Sequence, residues 1–443
     1  MKDLRIGIIG CCGRGTLADN AHKPGAGSVI VAGAEPYPEQ QKMFLDRYQE
    51  KFGVRPALYA DYREMIDKEN LDGVIITSPD FVHMEHAVYA LERKVPVYLE
   101  KPVAISIPDA DRILEAAYRS KTKLVIGHNM RYMAFTRKMK ELIDSGVIGE
   151  VKAVWCRHFI SYGGDAYYRD WHAEKRLCNS LLLQKGAHDI DIIHWLAGAR
   201  TVQVSGMGNL SVYDKLPRRP KGEERVKDGI AAHWKNSHWP PLEQKDMYPT
   251  VEVEDLNMIN MRLENGVLAS YEQCHYTPDA CRNYTVIGTK GRLENYGDYS
   301  PKSDIQVWTR RVDAFRLEGD ITCRVDASDG THGGADPLII QSFIDALRGR
   351  YDVWSTPQAA RYSIAAGCCG ADSIRNGGMV ENVPALPDYL ENWDFARAEE
   401  ILNENHPCDR RRRLHRLQFC PLHAGQAPGP DSGQPAFRLQ KEP

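Results

Sequence analysis

The apolar residues of the first third of the chain fall into short continuous runs separated by longer amphipathic segments. The clearest runs lie at 5–10, 29–34, 72–76, 94–99 and 123–127. Runs of this length without alternation are typical of strands that are buried on both faces of a parallel sheet. Counting six strand–helix units, we predict an α/β domain with a doubly wound parallel sheet over residues 1–130.

A different pattern follows, in which apolar and polar positions alternate. Residues 257–274 predict two strands joined by Asn265-Gly266, a strong hairpin signal, and residues 283–296 predict a second hairpin. Such alternation is typical of antiparallel strands with one face in water. We therefore predict an α+β domain with an open, mainly antiparallel sheet over residues 131–390.

The end of the chain, residues 391–443, lacks this periodicity. It contains four consecutive arginines at 410–413 and then a stretch rich in Gly, Pro and Gln. We predict a disordered tail, since such a segment cannot bury enough apolar surface to fold.

Composition narrows the function before any motif is considered. The 443 residues carry a net charge of −3, which gives no indication of nucleic acid or an anionic membrane as a partner. The apolar runs are strand-sized, so no membrane span is predicted. Eleven cysteines without a CxxC spacing, and no signal-peptide pattern, predict neither a metal site nor a disulfide framework. We expect a cytoplasmic protein that acts on a small molecule.

A glycine-rich turn follows the first apolar run. In Gly10-Cys11-Cys12-Gly13-Arg14-Gly15, glycine occupies the first and sixth positions of the dinucleotide-binding fingerprint, but Cys12 replaces the second glycine. Backbone N–H groups at the start of the next helix would still form a phosphate site. The alternative is a plain tight turn.

An acidic residue, Glu35, ends the second run. A carboxylate at this point of a dinucleotide-binding unit binds the ribose hydroxyls of NAD, and its charge would repel the extra phosphate of NADP. We therefore expect NAD rather than NADP. The alternative is that Glu35 caps the following helix.

Further polar residues follow the later strands, at the edge where open α/β sheets bind ligands. In Glu100-Lys101-Pro102, proline keeps Lys101 at a strand end instead of on a helix. Lys101 could exchange a proton if its surroundings lowered its pKa; the alternative is a solvated lysine. The other residues of this kind are Thr77, Ser78, Pro79, His83 and Asn129.

One long predicted helix, 180–196, carries reactive side chains. Gln184, His188 and Asp191 share a face because of their spacing, and Lys185 lies three residues before His188. For a lone histidine on such a face, a structural role is the alternative.

Three other segments could contribute to a substrate site. Trp171-His172 combines aromatic and polar surface, which suits sugar rings, although a structural loop explains it equally well. The charged, proline-rich segment 215–249, which contains His233-Trp234 and His238-Trp239, is predicted to line or cover the site. Asp336-Pro337 predicts a helix N-cap, and His332 before it could reach substrate.

Several of these motifs occur together and in a recognisable order. The glycine turn, Thr77-Ser78-Pro79 with His83, Glu100-Lys101-Pro102 and His128-Asn129-Met130-Arg131-Tyr132 follow one another. In them the chain resembles the glucose–fructose oxidoreductase/inositol dehydrogenase (Gfo/Idh/MocA) family, over roughly residues 4–385. The resemblance implies a Rossmann domain, a second domain whose open sheet often mediates oligomers, and hydride transfer between NAD or NADP and a hydroxyl of a sugar, cyclitol or glycoside.

The resemblance also implies roles for individual residues. Lys101 would lie beside the nicotinamide and the substrate hydroxyl. Many members have Asp four residues before the catalytic histidine, but this chain has Gln184, which cannot exchange protons. The predicted catalytic residues are Lys101 and His188. The predicted substrate-binding residues are Arg131, Trp171, His172, Gln184, Lys185 and Asp191. The predicted cofactor-binding residues are Gly10, Cys12, Gly13, Arg14, Gly15, Glu35, Thr77, Ser78, Pro79, His83, Glu100, Lys101 and Asn129.

We therefore predict an NAD-dependent oxidoreductase that forms a dimer or a tetramer and acts on a secondary hydroxyl. Two alternatives remain open. One is an NAD-dependent glycosidase that works by transient oxidation and elimination. The other is a non-catalytic nucleotide- or sugar-binding protein. It is favoured by Cys12 in place of the second glycine and by Gln184 in place of the Asp before His188.

Overall fold

The computed structural model describes residues 2–224, 239–298, 302–326 and 330–400. Its first sheet has six parallel strands in the order β3-β2-β1-β4-β5-β6, which confirms the predicted doubly wound sheet. The strands are β1 (Leu4–Ile9), β2 (Ser28–Ala34), β3 (Ala57–Tyr59), β4 (Gly73–Ile76), β5 (Val97–Leu99) and β6 (Leu124–Ile126). Strands β4, β5 and β6 are buried along their whole length, as their uninterrupted apolar sequences require.

Helices cover both faces of this sheet. In the helix over 107–120, Ala110, Ile113, Leu114 and Ala117 form the buried face, and Ser106 caps its first turn through Asp109 N. The helices are α1 (Pro38–Phe52), α2 (Tyr62–Lys68), α3 (His83–Glu92), α4 (Ile107–Ser120) and α5 (Ala134–Asp144), with 3₁₀ helices at Gly13–Ala21, Asp80–Val82 and Asn129–Tyr132.

The second sheet has nine strands in the order β14-β13-β12-β11-β7-β10-β9-β8-β15. Its neighbours are antiparallel except for β7 and β10, so the prediction of a mainly antiparallel sheet is confirmed. Both predicted hairpins form. The strands are β7 (Val151–Phe159), β8 (Thr201–Asn209), β9 (Leu256–Leu263), β10 (Leu268–Cys274), β11 (Cys281–Gly288), β12 (Arg292–Tyr296), β13 (Lys302–Trp308), β14 (Ile321–Asp326) and β15 (Glu381–Asn382). A separate two-stranded sheet pairs β16 (Trp393–Asp394) with β17 (Glu399–Glu400).

One long helix, Pro357–Arg375, joins the two parts of the fold, because it packs against α4 on one side and β8 on the other. The helices of this part are α6 (Lys175–Cys178), α7 (Leu181–Gln184), α8 (Gly186–Ala197), α9 (Ala335–Leu347), α10 (Pro357–Arg375) and α11 (Asp388–Glu391). Short 3₁₀ helices lie at Trp171–Ala173, Tyr213–Lys215 and Pro241–Glu243, and a π-helical turn lies at Gly164–Tyr168.

Two predicted helices were wrong in detail. The single helix over 180–196 is broken at Lys185 into α7 and α8. Gly186 follows the break and lies against Tyr271, whose ring carbon would be 2.9 Å from a Cβ at that position. The helix near Asp336 begins at Ala335, so Gly334 is its N-cap. Asp336 does not cap the helix because its carboxylate is held by side chains from elsewhere, described below.

Some predictions fall on residues that the structure does not describe. These are His233, Trp234 and His238 of the predicted insertion, and residues 401–443 of the predicted tail. The described flanks of the insertion pack against residues 168–169, through Tyr248 N to Tyr168 O and Arg219 Nη2 to Arg169 O. In the described parts of the chain, we find no helix long and apolar enough to span a membrane.

Candidate active site

The two fingerprint glycines are required by close packing at the end of β1. Gly10 has a φ of +86°, and a Cβ there would lie 2.7 Å from Ser78 N. A Cβ on Gly15 would lie 2.3 Å from the carbonyl oxygen of Gly10. A side chain at either position would push the turn away from the strand ends. The turn therefore keeps the close approach that a dinucleotide phosphate site needs.

Cys12 replaces the second glycine without disturbing this turn. Its backbone is extended, with a φ of −116°, which any residue adopts. Its Sγ donates to the carbonyl oxygen of Gln40, 3.3 Å away, so the side chain is directed to α1. The missing glycine is thus compatible with a dinucleotide-binding turn.

Glu35 lies where a ribose-binding carboxylate is expected. It directly follows β2, it is only 4% exposed, and its Oε2 accepts from Cys11 N at 3.2 Å. This bond joins the carboxylate directly to the glycine turn. The residues of this edge therefore fit an NAD molecule with its pyrophosphate at the turn and its ribose at Glu35.

Arg14, Glu100 and Asn129 belong to one hydrogen-bonded cluster inside the protein. Arg14 donates from Nη1 and Nη2 to both oxygens of Asp336, at 2.7 and 2.8 Å, and from Nε to Glu100 at 2.9 Å. Asn129 Nδ2 also donates to Asp336, at 2.8 Å, and His332 contacts the same carboxylate. This cluster holds the glycine turn against α9. A cofactor contact for its three predicted members stays a prediction.

The predicted residues after β4 also make internal contacts. Thr77 Oγ1 donates to the carbonyl oxygen of Gly10 at 2.7 Å, which ties two strand ends together. His83 is fully buried, and its ring nitrogens lie 2.8 Å from the carbonyl oxygens of Ser78 and Pro102. Ser78 Oγ lies 2.9 Å from a ring nitrogen of His86. These side chains support the cofactor edge, and their contact with NAD stays a prediction.

Lys101 meets Gln184 through two hydrogen bonds. Its Nζ donates to the backbone oxygen of Gln184 at 2.9 Å and to the side-chain Oε1 at 2.5 Å. Burial lowers the pKa of Lys101, and nearby Lys185 lowers it further, while Asp80 opposes the shift. The lysine is therefore placed to be neutral over part of the physiological pH range, as a proton acceptor must be.

Sequence reasoning missed Asp80, the residue after Ser78-Pro79. Its Oδ2 accepts from Gln184 Nε2 at 2.8 Å, and it is 5% exposed. The same Nε2 lies 3.1 Å from His172 Nε2. The signal in the sequence is the position of Asp80 after a buried strand, next to Thr77-Ser78-Pro79 at the edge where such sheets bind ligands.

His188 has an unused ring nitrogen at this site. Its side chain is 8% exposed, and Nδ1 has no hydrogen-bond partner among the described residues. Burial, followed by the charge of Lys101, lowers the pKa of His188 well below its usual value. The imidazole is therefore neutral near pH 7, and it can accept or donate one hydrogen bond to a ligand hydroxyl.

Lys185 lies at the break between α7 and α8. Burial, with Arg282 nearby, lowers the pKa of Lys185 to about 7. Its Nζ lies 5.3 Å from the centre of the Tyr162 ring, and no carboxylate of the described residues forms an ion pair with it. Its amine therefore has donor capacity for a ligand.

The structure pairs two of the predicted substrate-binding residues with each other. Arg131 donates from Nε and Nη2 to the two oxygens of Asp191, at 2.7 Å each, and both side chains are buried. Trp171 stacks on His172 with ring centres 3.7 Å apart, and Phe81 packs edge-on against Trp171. The aromatic pair forms a flat wall near Gln184, and Arg131 and Asp191 form a buried ion pair, so their contact with substrate stays a prediction.

Two family models match the chain. One is described as the oxidoreductase family's NAD-binding Rossmann fold and covers residues 4–128. The other is described as the oxidoreductase family's C-terminal alpha/beta domain and covers residues 140–381.

Among curated relatives, YteT of Bacillus subtilis, whose name assigns it to the oxidoreductases, is 29% identical over 343 residues, which span 69% of this chain and 80% of YteT. Inositol 2-dehydrogenase of Salmonella typhimurium is 29% identical over 202 residues. That match spans 45% of this chain and 55% of the dehydrogenase, so the chain matches about half of that relative's length.

Solved structures share the fold. Myo-inositol 2-dehydrogenase from Lactobacillus plantarum has a TM-score of 0.62 at 19% identity, covering 86% of this chain and 100% of that one. An oxidoreductase from Agrobacterium radiobacter, in complex with NAD+, L-tartaric acid and magnesium, has a TM-score of 0.64 at 17% identity. The second match covers 86% of this chain and 99% of the other.

Proposed function

Because the chain belongs to the Gfo/Idh/MocA family of NAD-binding oxidoreductases, which act on CH–OH groups, we propose that its substrate is a sugar, cyclitol or glycoside. In this proposal a secondary hydroxyl is oxidised to a ketone, and the reverse reaction reduces it. The observation that carries the proposal is the placement of Lys101. It follows β5 at the cofactor edge, and two oxygens of Gln184 hold its amine.

Lys101 acts as the base that takes the hydroxyl proton. A neutral amine has two N–H bonds, and both can be donated to Gln184, so its lone pair is directed away from that residue. NAD, when bound, supplies the acceptor for the hydride. The proton therefore goes to Lys101 Nζ, and the two electrons leave with the hydride.

His188 and Lys185 orient the substrate ring. His188 has an unpartnered nitrogen and Lys185 has an amine without an ion pair in the described chain, so each can bind a hydroxyl. Trp171 provides a flat aromatic surface, against which the CH face of a sugar ring packs. This combination of donors and an aromatic face supports a polyhydroxylated ring as the substrate.

The outer face of the second sheet supports an oligomer. Trp155, Met258 and Leu268 on this face are each about half exposed, at 48%, 49% and 52%. A groove of about 500 Å³ lies beside Trp155. Exposed apolar surface of this kind favours association, and we propose a dimer or tetramer formed through it. The nine described cysteines are unpaired, which supports a reducing compartment such as the cytoplasm.

A substrate panel tests the proposed function. Purified protein is first titrated with NAD and NADP by calorimetry and then given NAD with polyols, cyclitols, free sugars and aryl glycosides. We expect NAD binding, and NADH absorbance with one class of ring. Release of the aryl group without net NADH would instead establish the glycosidase, and NAD binding with no turnover of any substrate would contradict the proposal.

A further inference from the structure

The amide of Gln184 lies between two ionisable groups. Its Oε1 accepts from Lys101 Nζ at 2.5 Å, and its Nε2 donates to Asp80 Oδ2 at 2.8 Å. The other hydrogen of Nε2 is available to His172 Nε2, 3.1 Å away. Because the ammonium only donates and an ionised carboxylate only accepts, these partners fix which way the amide faces.

In the part of the chain that the structure describes, the Gln184 amide is the one side chain that hydrogen-bonds to Asp80. Among the described residues, no Lys, Arg or His forms an ion pair with it. Burial raises the pKa of Asp80, and the charge of Lys101 opposes that shift. A buried carboxylate without a direct cation is costly, so such groups are retained mainly at functional sites.

We propose that Asp80 is a positioning residue for Lys101, acting through the side chain of Gln184. The carboxylate orients the amide, the amide oxygen holds the amine, and the negative charge favours the protonated amine after it has taken the substrate proton. This role rests on the proposed function, in which Lys101 is the base. It places the carboxylate of this site in the loop after β4 instead of on α7.

The arrangement also explains why residue 184 is an amide. A carboxylate at this position would place two like charges in hydrogen-bond contact with no hydrogen between them. An amide can donate to Asp80 and accept from Lys101 at the same time. The presence of Gln184 and the presence of Asp80 are therefore parts of one arrangement.

The first variant is Asp80→Asn, which keeps the shape and removes the charge. We expect kcat to fall about 10- to 100-fold, because the amide orientation is no longer enforced and the amine is less well placed. Without the nearby negative charge, protonation of Lys101 becomes less favourable. The acid limb of the kcat/KM profile therefore moves to lower pH, while NAD affinity is unchanged.

The charges that face Lys101 come from several elements, and this substitution changes one of them. The others are Glu100, Arg14 and Lys185, with the imidazoles of His83, His172 and His188 nearby. Asp46→Asn removes an exposed carboxylate that pairs with Lys42 on α1 and is the matched control. We expect the control to leave kcat and the pH profile unchanged.

The second test moves the carboxylate. Gln184→Glu alone should be less active than either wild type or Asp80→Asn, because it opposes two carboxylates. The double variant Asp80→Asn/Gln184→Glu restores one carboxylate and one amide in exchanged positions. We expect its kcat to exceed that of Gln184→Glu at least about tenfold, since the paired groups act as a unit. The proposal would be overturned if the two substitutions lowered kcat additively in the double variant. It would also be overturned if the pH profile of kcat/KM were unchanged in Asp80→Asn.

A measurement without substrate separates this inference from the proposed function. The pH dependence of Lys101 acylation by acetic anhydride, read by mass spectrometry, reports the protonation of its amine directly. We expect the midpoint to lie lower in Asp80→Asn than in wild type. A shifted midpoint in a protein that oxidises no ring would retain the positioning role and reject the proposed function. An unshifted midpoint in an enzyme that oxidises a ring would reject the positioning role of Asp80 and retain the proposed function.

Discussion

Lys101 Nζ lies 2.9 Å from the backbone oxygen and 2.5 Å from the side-chain oxygen of Gln184, a residue 83 positions later in the chain. These bonds join the end of β5 in the parallel sheet to the end of α7 in the second part of the fold. The Lys101 amine, which follows a strand of the first sheet, is therefore held by a residue of α7 in the second part of the fold. We expect a change in this contact to alter turnover and to leave the NAD edge around Glu35 intact.

Lys101→Met should abolish most turnover. It removes the proposed base, which contributes about 10²- to 10⁴-fold to a proton-transfer step, and leaves the glycine turn in place. NAD affinity measured by calorimetry should stay within about threefold of wild type, whereas kcat should fall by the factor given. Lys42→Met, at an exposed position of α1, is the control. Full activity of Lys101→Met would remove this residue from the mechanism.

Glu35→Gln should relax the choice of cofactor. The carboxylate is buried beside the glycine turn, where its charge would repel the 2′-phosphate of NADP. We expect the ratio of NADP to NAD affinity to rise about tenfold or more, which corresponds to about 1.4 kcal/mol. Glu39→Gln, which removes the same charge in the first turn of α1, should not change the ratio. An equal effect of both variants would assign the preference to net charge instead.

Lys185→Met should weaken substrate binding more than it slows chemistry. The pKa of Lys185 is lowered to about 7, so its ammonium is present below that pH and is lost as the pH rises through it. If the ammonium binds substrate, the wild-type KM should increase above pH 7, and the KM of the variant should be high and less dependent on pH. Lys152→Met, at an exposed position of β7, is the control. A KM that is equal in variant and wild type would exclude substrate contact.

Arg131→Met should destabilise the protein, because it removes both hydrogen bonds that Arg131 donates to the buried Asp191 carboxylate. Among the described residues, it leaves only His128, with Nδ1 3.4 Å from Asp191 Oδ2, as an ion-pair partner. Breaking such a pair costs about 3–5 kcal/mol. The charges of Arg131 and His128 hold the pKa of Asp191 well below its usual value despite burial. The stabilisation is therefore complete above the pKa of an unfolded Asp and is lost as the pH falls through the folded value.

Denaturant titrations of Arg131→Met and wild type at pH 7 and at acid pH test this expectation. The difference in the free energy of unfolding should shrink at acid pH. Arg93→Met, which breaks the exposed pair with Asp67, should cost less than about 1 kcal/mol. If Arg131→Met is as stable as wild type but binds substrate poorly, the residue contacts substrate and the structural interpretation is wrong.

The sequence by itself determined the parallel sheet, the glycine turn and the location of Lys101 at a strand end. Each depends on features within a few residues: uninterrupted apolar runs, glycines at fixed spacing, and a proline that restricts its neighbour. The hairpin at Asn265-Gly266 is local in the same sense. Because burial of a strand on two faces leaves a pattern in its own residues, these elements could be found without knowing their neighbours.

Only the tertiary structure decided which internal contacts the polar groups make. Arg14, Asn129, Arg131 and Asp191 have the residue types of a binding site, and the structure adds that each also contacts a distant residue, up to 322 positions away. Sequence reasoning missed Asp80 because its contact with Gln184 joins residues 104 positions apart. Hydrogen-bond partners across separate elements depend on how those elements pack, and no local pattern along the chain records that packing.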